Sequence, residues 1–503
     1  MKKDNMKRAA VLLASVAALT GCAMPSVGTD GEETTAAATT AQQAESSEQQ
    51  TSASGDEEIV LQVVDWSDSS KAWRDEFHQK FMEEHPGVTI EYTCLTQDQF
   101  QNTIMTSIMS DDAPDLFPVP VSTMRLPTCV QEGWFLPLND LMPEGFFDQF
   151  EEGTLVEGNH YIDGVYYTLP EKAAPTSVLM FYNKDILEEC GLEVPTTYSE
   201  FREACRIVTE QGAGEYYGLI DGGKQVARLE SLVRGLANLA GGQLSDNNMA
   251  LTSGGRAPYD SEAMIGAYTL LSQLYQDGSI HPDTVNLTAP EARSIFAQGE
   301  AAFLCQGSWC IATWSQENPD FNYGVMPLII PDDGQKGYLP VSETIAWMGI
   351  SSQTEHPELA AEYLVEMYGE DFQGATVAGG ERYSVIKGIN EKYMTEGPSQ
   401  DYYNIAQEQT LSTPIATHRD SKVNDFYAEV KSVDPSLGSI AQGVIAGSIT
   451  EDQIQGILTE LADATTAEWQ RASEAVGLDF DVFEFPNWDP MEAYTEEDYA
   501  ELQ

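Results

Sequence analysis

Three of the eight tryptophans stand beside loop-forming residues, and the chemistry they offer is recognition. Trp66 closes a strand-length apolar run within DWSDSS, Trp309 lies in CQGSWCIATW, and Trp347 lies in SETIAWMG. An indole face can cover the apolar C–H face of a sugar ring while nearby carboxamides, hydroxyls and carboxylates meet its hydroxyls. The same rings serve equally well as core. Catalysis would need a nucleophile beside a base, a metal cluster or a phosphate cradle. The chain has no H-E-x-x-H, G-x-S-x-G or P-loop, and its six histidines (His78, His85, His160, His281, His356, His418) are scattered. With 81 Asp and Glu residues, a glycosidase pair cannot be argued from numbers. No catalytic residue, cofactor or metal ligand is therefore expected, and a secreted glycan-active hydrolase is kept as the second reading.

The first cysteine poses a different chemistry. Lys2, Lys3, Lys7 and Arg8 precede an apolar run from Ala9 to Leu19 that breaks at Leu19-Thr20-Gly21-Cys22. That run is shorter than the roughly 20 residues a bilayer span requires, so residues 1–22 read as an export signal. The break resembles a bacterial lipobox, in which small Gly21 admits a peptidase and the Cys22 thiol accepts a diacylglyceryl group. Residues 23–58, rich in Ser, Thr, Ala, Gln and Glu without a Lys or Arg, cannot bury enough apolar surface to fold and read as a tether. The other six cysteines show no C-x-x-C pair, so buried free thiols are expected, with an occasional bridge left open by export.

A chain of 503 residues needs more than one core. Its net charge of -56 repels phosphate backbones and anionic lipid surfaces, which excludes nucleic acid as a partner. Acidity leaves a peptide or a cationic solute open as ligand.

The elements that must position these residues follow a repeating rhythm. IVLQVVDW reads as a strand. Trp73, Phe77 and Phe81 then recur at helical spacing until Pro86-Gly87, VTIEY is a second strand, Phe100, Ile104 and Ile108 mark a second helix, and DAPDLFPVPV is a third strand. This β-α-β-α-β order predicts an α/β architecture with mainly parallel sheets. Further along, Asn183 caps KDILEECG before Gly191, Thr197 and Glu200 have capping-box spacing, and so do Thr450 and Gln453.

Several of these stretches, taken in order, resemble family 1 of the extracellular solute-binding proteins of ABC importers, the maltose-binding group. They are APDLF, EGWFLPLNDL, IDGVYYTLP, FYNKDILEECGLEVPTTYSEF and FAQGEAAFLCQGSW, the last with Phe303 where Met is usual. The resemblance spans about Ile59 to Trp469. It implies a periplasmic-binding-protein type II fold: two α/β lobes around a ligand cleft, with lobe one at 59–172 plus 300–342 and lobe two at 173–299 plus 343–503. Residues 470–503 form a tail it does not assign. Crossings are expected near Lys172 to Thr176, Val341 to Thr344 and Arg382 to Ser384. Carried over by position, it implies that Trp66 and Asp68 lie on a cleft loop and Thr176 at a hinge. Trp309 would be the stacking ring, Glu343 and Trp347 would belong to a second cleft loop, and Phe426 or Tyr427, of which Tyr427 is taken, would be a C-terminal aromatic. Asp115, Asn183 and Gly299 match as structural positions. Pro118-Val119-Pro120 and Ser342-Glu343-Thr344 depart from the family's usual residues, which implies a pocket unlike that of a typical oligosaccharide binder. The implied activity is capture of a mono- or oligosaccharide and delivery to ABC permease subunits, by a monomer held at the extracellular face of the membrane through Cys22. An adhesin without an enclosed pocket is the third reading.

Overall fold

The computed structural model describes residues 59–121, 124–173, 178–245, 251, 255–341 and 344–502. Calls on Cys22 and the tether, and on Thr176 and Glu343, lie outside the described residues. The opening strand β1 (Ile59–Asp65) pairs in parallel with β2 (Val88–Cys94), from Ile59 opposite Val88 to Asp65 opposite Cys94. Between them runs α1 (Lys71–Glu84), which buries Phe77 and Phe81 on one face. The turn after it needs Gly87, at φ +94°, a conformation costly for a residue with a Cβ. Next come α2 (Gln97–Met109), opened by a Thr96–Gln99 capping box, then β3 (Leu116–Pro118) and α3 (Leu126–Gln131). A hairpin of β4 (Tyr161–Ile162) and β5 (Val165–Tyr166) leads to β6 (Thr168–Pro170).

The chain then enters a second sheet at β7 (Leu179–Asn183). The Asn183 side chain accepts the Ile186 amide at the start of α4 (Lys184–Cys190), and Gly191 ends that helix at φ +67°. The Thr197–Glu200 box opens α5 (Tyr198–Gly212). There follow β8 (Tyr217–Ile220), α6 (Val226–Leu239), α7 (Glu262–Gln276), α8 (Ala289–Ala297), β9 (Ala301–Gln306), α9 (Trp309–Glu317), β10 (Tyr323–Met326) and β11 (Leu339–Pro340). The chain returns to the first sheet as β12 (Ala346–Ile350) and continues through α10 (Pro357–Met367), α11 (Glu370–Ala378) and α12 (Ile389–Tyr393). It crosses once more into α13 (Pro398–Gln409), β13 (Thr410–Leu411), α14 (Val423–Glu429), α15 (Leu437–Ile445), α16 (Glu451–Val476) and α17 (Glu496–Glu501).

The first sheet has the order β2-β1-β3-β12-β6 and the second β10-β7-β9-β8. Both are mixed: β12 runs antiparallel to β3 and β6, and β7 antiparallel to β9 and β10, while β8 and β9 are parallel. Antiparallel pairs arise where the chain re-enters a sheet from elsewhere, which a count of β-α repeats does not register. The expected lobe division needs correcting on the same ground. Residues 301–326 supply β9 and β10 to the second sheet, and Ala346–Ile350 supplies β12 to the first. Both β9 and β12 are buried along their whole length, so alternation carries no clue to which sheet receives them.

Two large cores result, one against each sheet; a smaller one around Phe100, Ile104, Phe117 and Trp134 also packs on the first sheet, and an aromatic cluster of Phe426, Trp469, Phe483 and Phe485 is formed by α14, α16 and the C-terminal segment. The six described cysteines are free, four of them buried. Among the described residues no helix is long and apolar enough to cross a membrane, and none of their His, Cys, Asp or Glu groupings could hold a metal ion.

Candidate functional site in the interlobe cleft

Chain segments passing between the two sheets meet the carboxyl ends of β1, β8 and β9, where open α/β sheets place their ligand crevices. The turn after β1 carries Trp66 and Asp68. The half-buried Trp66 ring lies 4.6 Å from Phe100 and 4.7 Å, edge-on, from Trp347. Trp347 itself is 1 % exposed, and the Arg74 guanidinium sits 5.1 Å from its ring centre. The expected ligand contact at Trp347 is therefore corrected: it is a core residue behind Trp66, because β12 is a central strand whose side chains are covered on both faces.

A buried polar network fixes the Trp66–Asp68 turn. The Ser67 amide donates to Asp65 (3.0 Å), whose carboxylate pairs with Arg74 Nε at 2.9 Å and accepts the Tyr92 hydroxyl at 3.0 Å. Burial raises the Asp65 carboxyl above its ordinary value, with Arg74 opposing. Ser67 Oγ lies 2.8 Å from Glu171, on the first crossing, and 3.0 Å from Ser70 Oγ. The Ser70 hydroxyl donates to Glu381, which pairs with Arg382 on the third crossing, and Arg382 in turn donates to the Glu171 carbonyl at 3.2 Å. Burial acts to raise the Glu381 carboxyl, but Arg382 and Lys172 outweigh it and hold it below its ordinary value. One cleft loop and two crossing segments thus share a single set of charges. Beside the second crossing, buried His160 of the first lobe accepts the Val156 amide (2.9 Å) and contacts the Ile345 carbonyl (3.2 Å); burial lowers its imidazole to about 4, so it stays neutral.

Opposite this turn stand the ends of β8 and β9. Trp309, at the first position of α9, is half-buried, with the Arg228 guanidinium 5.2 Å from its ring centre. A Cβ on Gly307 would lie 2.0 Å from that ring, so the absence of a side chain lets the indole fold back on its own strand end. Asp221, following β8, is 1 % exposed and accepts the Gly222 amide at 2.7 Å. Burial pushes its carboxyl up to about 7, against the Gly222 amide and Arg228. Asp68 reaches across to Arg293 of α8 at 3.1 Å. Arg293 is itself buried, so this exposed carboxylate meets a desolvated guanidinium.

A cavity of about 430 Å³ opens between the α3 region, through Met124 and Arg125, and second-lobe residues including Glu230, Tyr427, Val430 and Trp469. Arg125 lies 4.5 Å from the centre of the Tyr427 ring. Phe426 is fully buried in the aromatic cluster, so of these two neighbours it is Tyr427 that lines the cavity. The structure therefore brings Trp66 to Trp347, Asp68 to Arg293, Trp309 to Arg228 and Tyr427 to Arg125. Sequence reasoning missed all three arginines and Asp221. Only Asp221 had a local signal, the IDGG stretch at a strand end.

A profile of the bacterial extracellular solute-binding proteins matches residues 65–374, more than half of the chain. The chain belongs to that family. Among its relatives, a multiple sugar-binding protein of Streptococcus mutans is 21% identical over 392 residues, 74% of this chain and 85% of the relative. A binding protein of Brucella abortus is 23% identical over 310 residues, 61% of this chain and 72% of the relative. Similar solved structures include the maltose/maltodextrin-binding domain MalE of Bdellovibrio bacteriovorus bound to maltotriose, with a TM-score of 0.60 and 16% identity over 82% of this chain and 100% of that one. The GacH receptor of Streptomyces glaucescens, studied with acarbose, gives a TM-score of 0.59 and 18% identity over 82% of this chain and 98% of that one. These solute-binding proteins share the two-lobed α/β fold of this family member.

Proposed function

We propose that this solute-binding protein captures a mono- or oligosaccharide between its lobes and delivers it to an ABC permease, acting as a receptor without turning its ligand over. The observation that carries this reading is the pairing of aromatic faces with guanidinium groups at the cleft: Trp309 beside Arg228 and Tyr427 beside Arg125. Such a pair offers a flat apolar surface for the C–H face of a sugar and adjacent donors for its hydroxyls. Trp66, Asp68 and Trp309 are the residues proposed to touch the ligand from the strand ends, with Tyr427 at the cavity. Thr176 and Glu343 are proposed contacts by position alone. The names of the relatives point the same way, toward multiple sugars, maltotriose and acarbose. Ligand bound between the lobes favours their closure by its differential affinity for the two arrangements, which gives a permease something to read. Lipidation at Cys22 and the tether of residues 23–58 complete the proposal by keeping a monomeric receptor near its permease. Two acyl chains hold far more firmly than one.

Thermal shifts across mono- and oligosaccharides, peptides and polyamines identify the ligand class, because a compound that binds only the folded state raises its apparent stability. With the best sugar in hand, Trp309→Ala is expected to weaken binding by about 1–3 kcal/mol while the sugar is recovered intact. An unchanged dissociation constant rejects the stacking role, a product peak rejects the receptor role, and a shift confined to peptides or polyamines rejects sugar.

A further inference from the structure

Tyr427 sits on a helix that cannot stand alone. Helix α14 has seven residues, too few to be stable in water without tertiary support. It is supported by α16 and α3 and by the C-terminal segment, which, like α14 itself, lies beyond the matched region of the family. Phe426 packs on Phe483 with ring centres 4.6 Å apart, and Trp469 lines the same cluster. Just before α14, one nitrogen of Arg419 donates to three carbonyls of the segment: Asp481 (2.6 Å), Val482 (3.2 Å) and Glu484 (2.7 Å). The same guanidinium lies 5.5 Å from the Phe485 ring centre. Further ties run from the Ile415 amide to the Tyr499 hydroxyl (2.8 Å) and from the Tyr494 amide to the Ser412 carbonyl (3.0 Å). Successive helical residues point about 100° apart. With Phe426 locked inward, Tyr427 must therefore turn toward the cavity and Arg125.

We infer that residues 478–502 are a positioning element of the ligand site, with Arg419 as the clamp that fixes α14 and so sets the direction of Tyr427. A segment that only covered a core would not converge three backbone carbonyls on one side chain at the base of the helix that carries a cavity aromatic. The inference rests on reading the cavity as the ligand site, and one arm of its test requires no ligand.

The test compares Arg419→Ala and Arg419→Lys in the full chain. Hydrogen exchange without ligand is expected to quicken about tenfold in Val423–Glu429 for the alanine variant, with the strands of the second sheet unchanged. A lysine ammonium has three donors on one nitrogen and is expected to restore protection. Affinities for maltotriose and raffinose should then fall about tenfold in the alanine variant and recover with lysine. Unchanged exchange in folded Arg419→Ala overturns the clamp. Faster exchange with unchanged affinity overturns its link to the site. Should the unaltered protein bind no sugar of the thermal-shift screen, the sugar reading fails while the exchange arm still decides whether Arg419 holds α14. If Arg419→Ala does not fold, Tyr499→Phe removes the tie to Ile415 and is read in the same way, with a smaller expected acceleration.

Discussion

The two sides of the cleft hold their aromatic residues by opposite means. The turn bearing Trp66 is tied to two crossing segments by buried charges: Asp65, Arg74, Glu171, Glu381 and Arg382. The helix bearing Tyr427 rests on an aromatic cluster, with Arg419 gripping neutral carbonyls. A charge network has few acceptable geometries, since every displaced carboxylate or guanidinium leaves a desolvated ion, whereas apolar packing tolerates small shifts. The network joins the segments about which the lobes would hinge. A demanding geometry there defines where the first cleft loop sits, while the place of the other wall rests on aromatic packing and on the hold of Arg419.

The sharpest way to break this contrast is to cancel one charge. Glu381→Gln keeps the shape but leaves Arg382 without its carboxylate, and is expected to cost about 3–5 kcal/mol by denaturant unfolding. The matching cut in the aromatic cluster, Phe483→Leu, should cost only about 1–2 kcal/mol. Equal losses would show that the two walls do not differ as described.

Asp221 sharpens the comparison from within the second lobe, being a buried carboxyl without the surrounding network that Asp65 enjoys. Its carboxyl stands at about 7 in the fold against an ordinary 3.8. Below the ordinary value both folded and unfolded chains are protonated and no penalty exists. As pH rises toward about 7 the unfolded chain releases a proton that the folded chain keeps, so stability falls; above it the penalty is complete and constant. Asp221→Asn is expected to stabilise the protein by about 1–4 kcal/mol above a pH of about 8, and to change little below a pH of about 4. Melting curves at the two extremes check this, and a gain of the same size at both would discard it.

The smallest effect concerns the contact that spans the two sides. Asp68 is 59% exposed at its side chain, so its pair with Arg293 should contribute no more than about 1 kcal/mol and fade with salt. Arg293→Gln is expected to expand the ligand-free protein slightly in small-angle scattering at low salt. High salt should bring the unaltered protein to the same dimensions. A radius indifferent to both changes would remove Asp68–Arg293 as a link between the lobes.

Much of the local architecture was legible because its causes are local. Thr197 and Glu200 form their capping box, Asn183 caps α4, and Gly191 ends it, since orphan amides at a helix start draw on side chains three residues away. The crossings near Lys172 and Val341 follow the ends of β6 and β11, whereas the one near Arg382 follows helix α11. Trp347 was misread because its neighbours, Ser-Glu-Thr before and Met-Gly after, have the composition of a loop edge, and burial depends on strands remote in sequence. The C-terminal segment was unassigned for a related reason: its aromatics pack on one another and on residues of α14 and α16 that are distant in sequence.

Sequence alone determined the α/β class, the membership in a solute-binding family and the cap positions, and it nominated Trp66, Trp309 and Tyr427, which remain proposed ligand contacts. The class and the caps follow from periodicity and capping chemistry, and the family and the nominated aromatics from the resemblance of several motifs taken in order along the chain. Tertiary structure decided which sheet receives β9 and β12, which tryptophan is covered, and which arginine stands beside each aromatic ring. Those outcomes depend on contacts between distant segments, formed only when the chain is folded and water is excluded, and no short window of residues contains both partners.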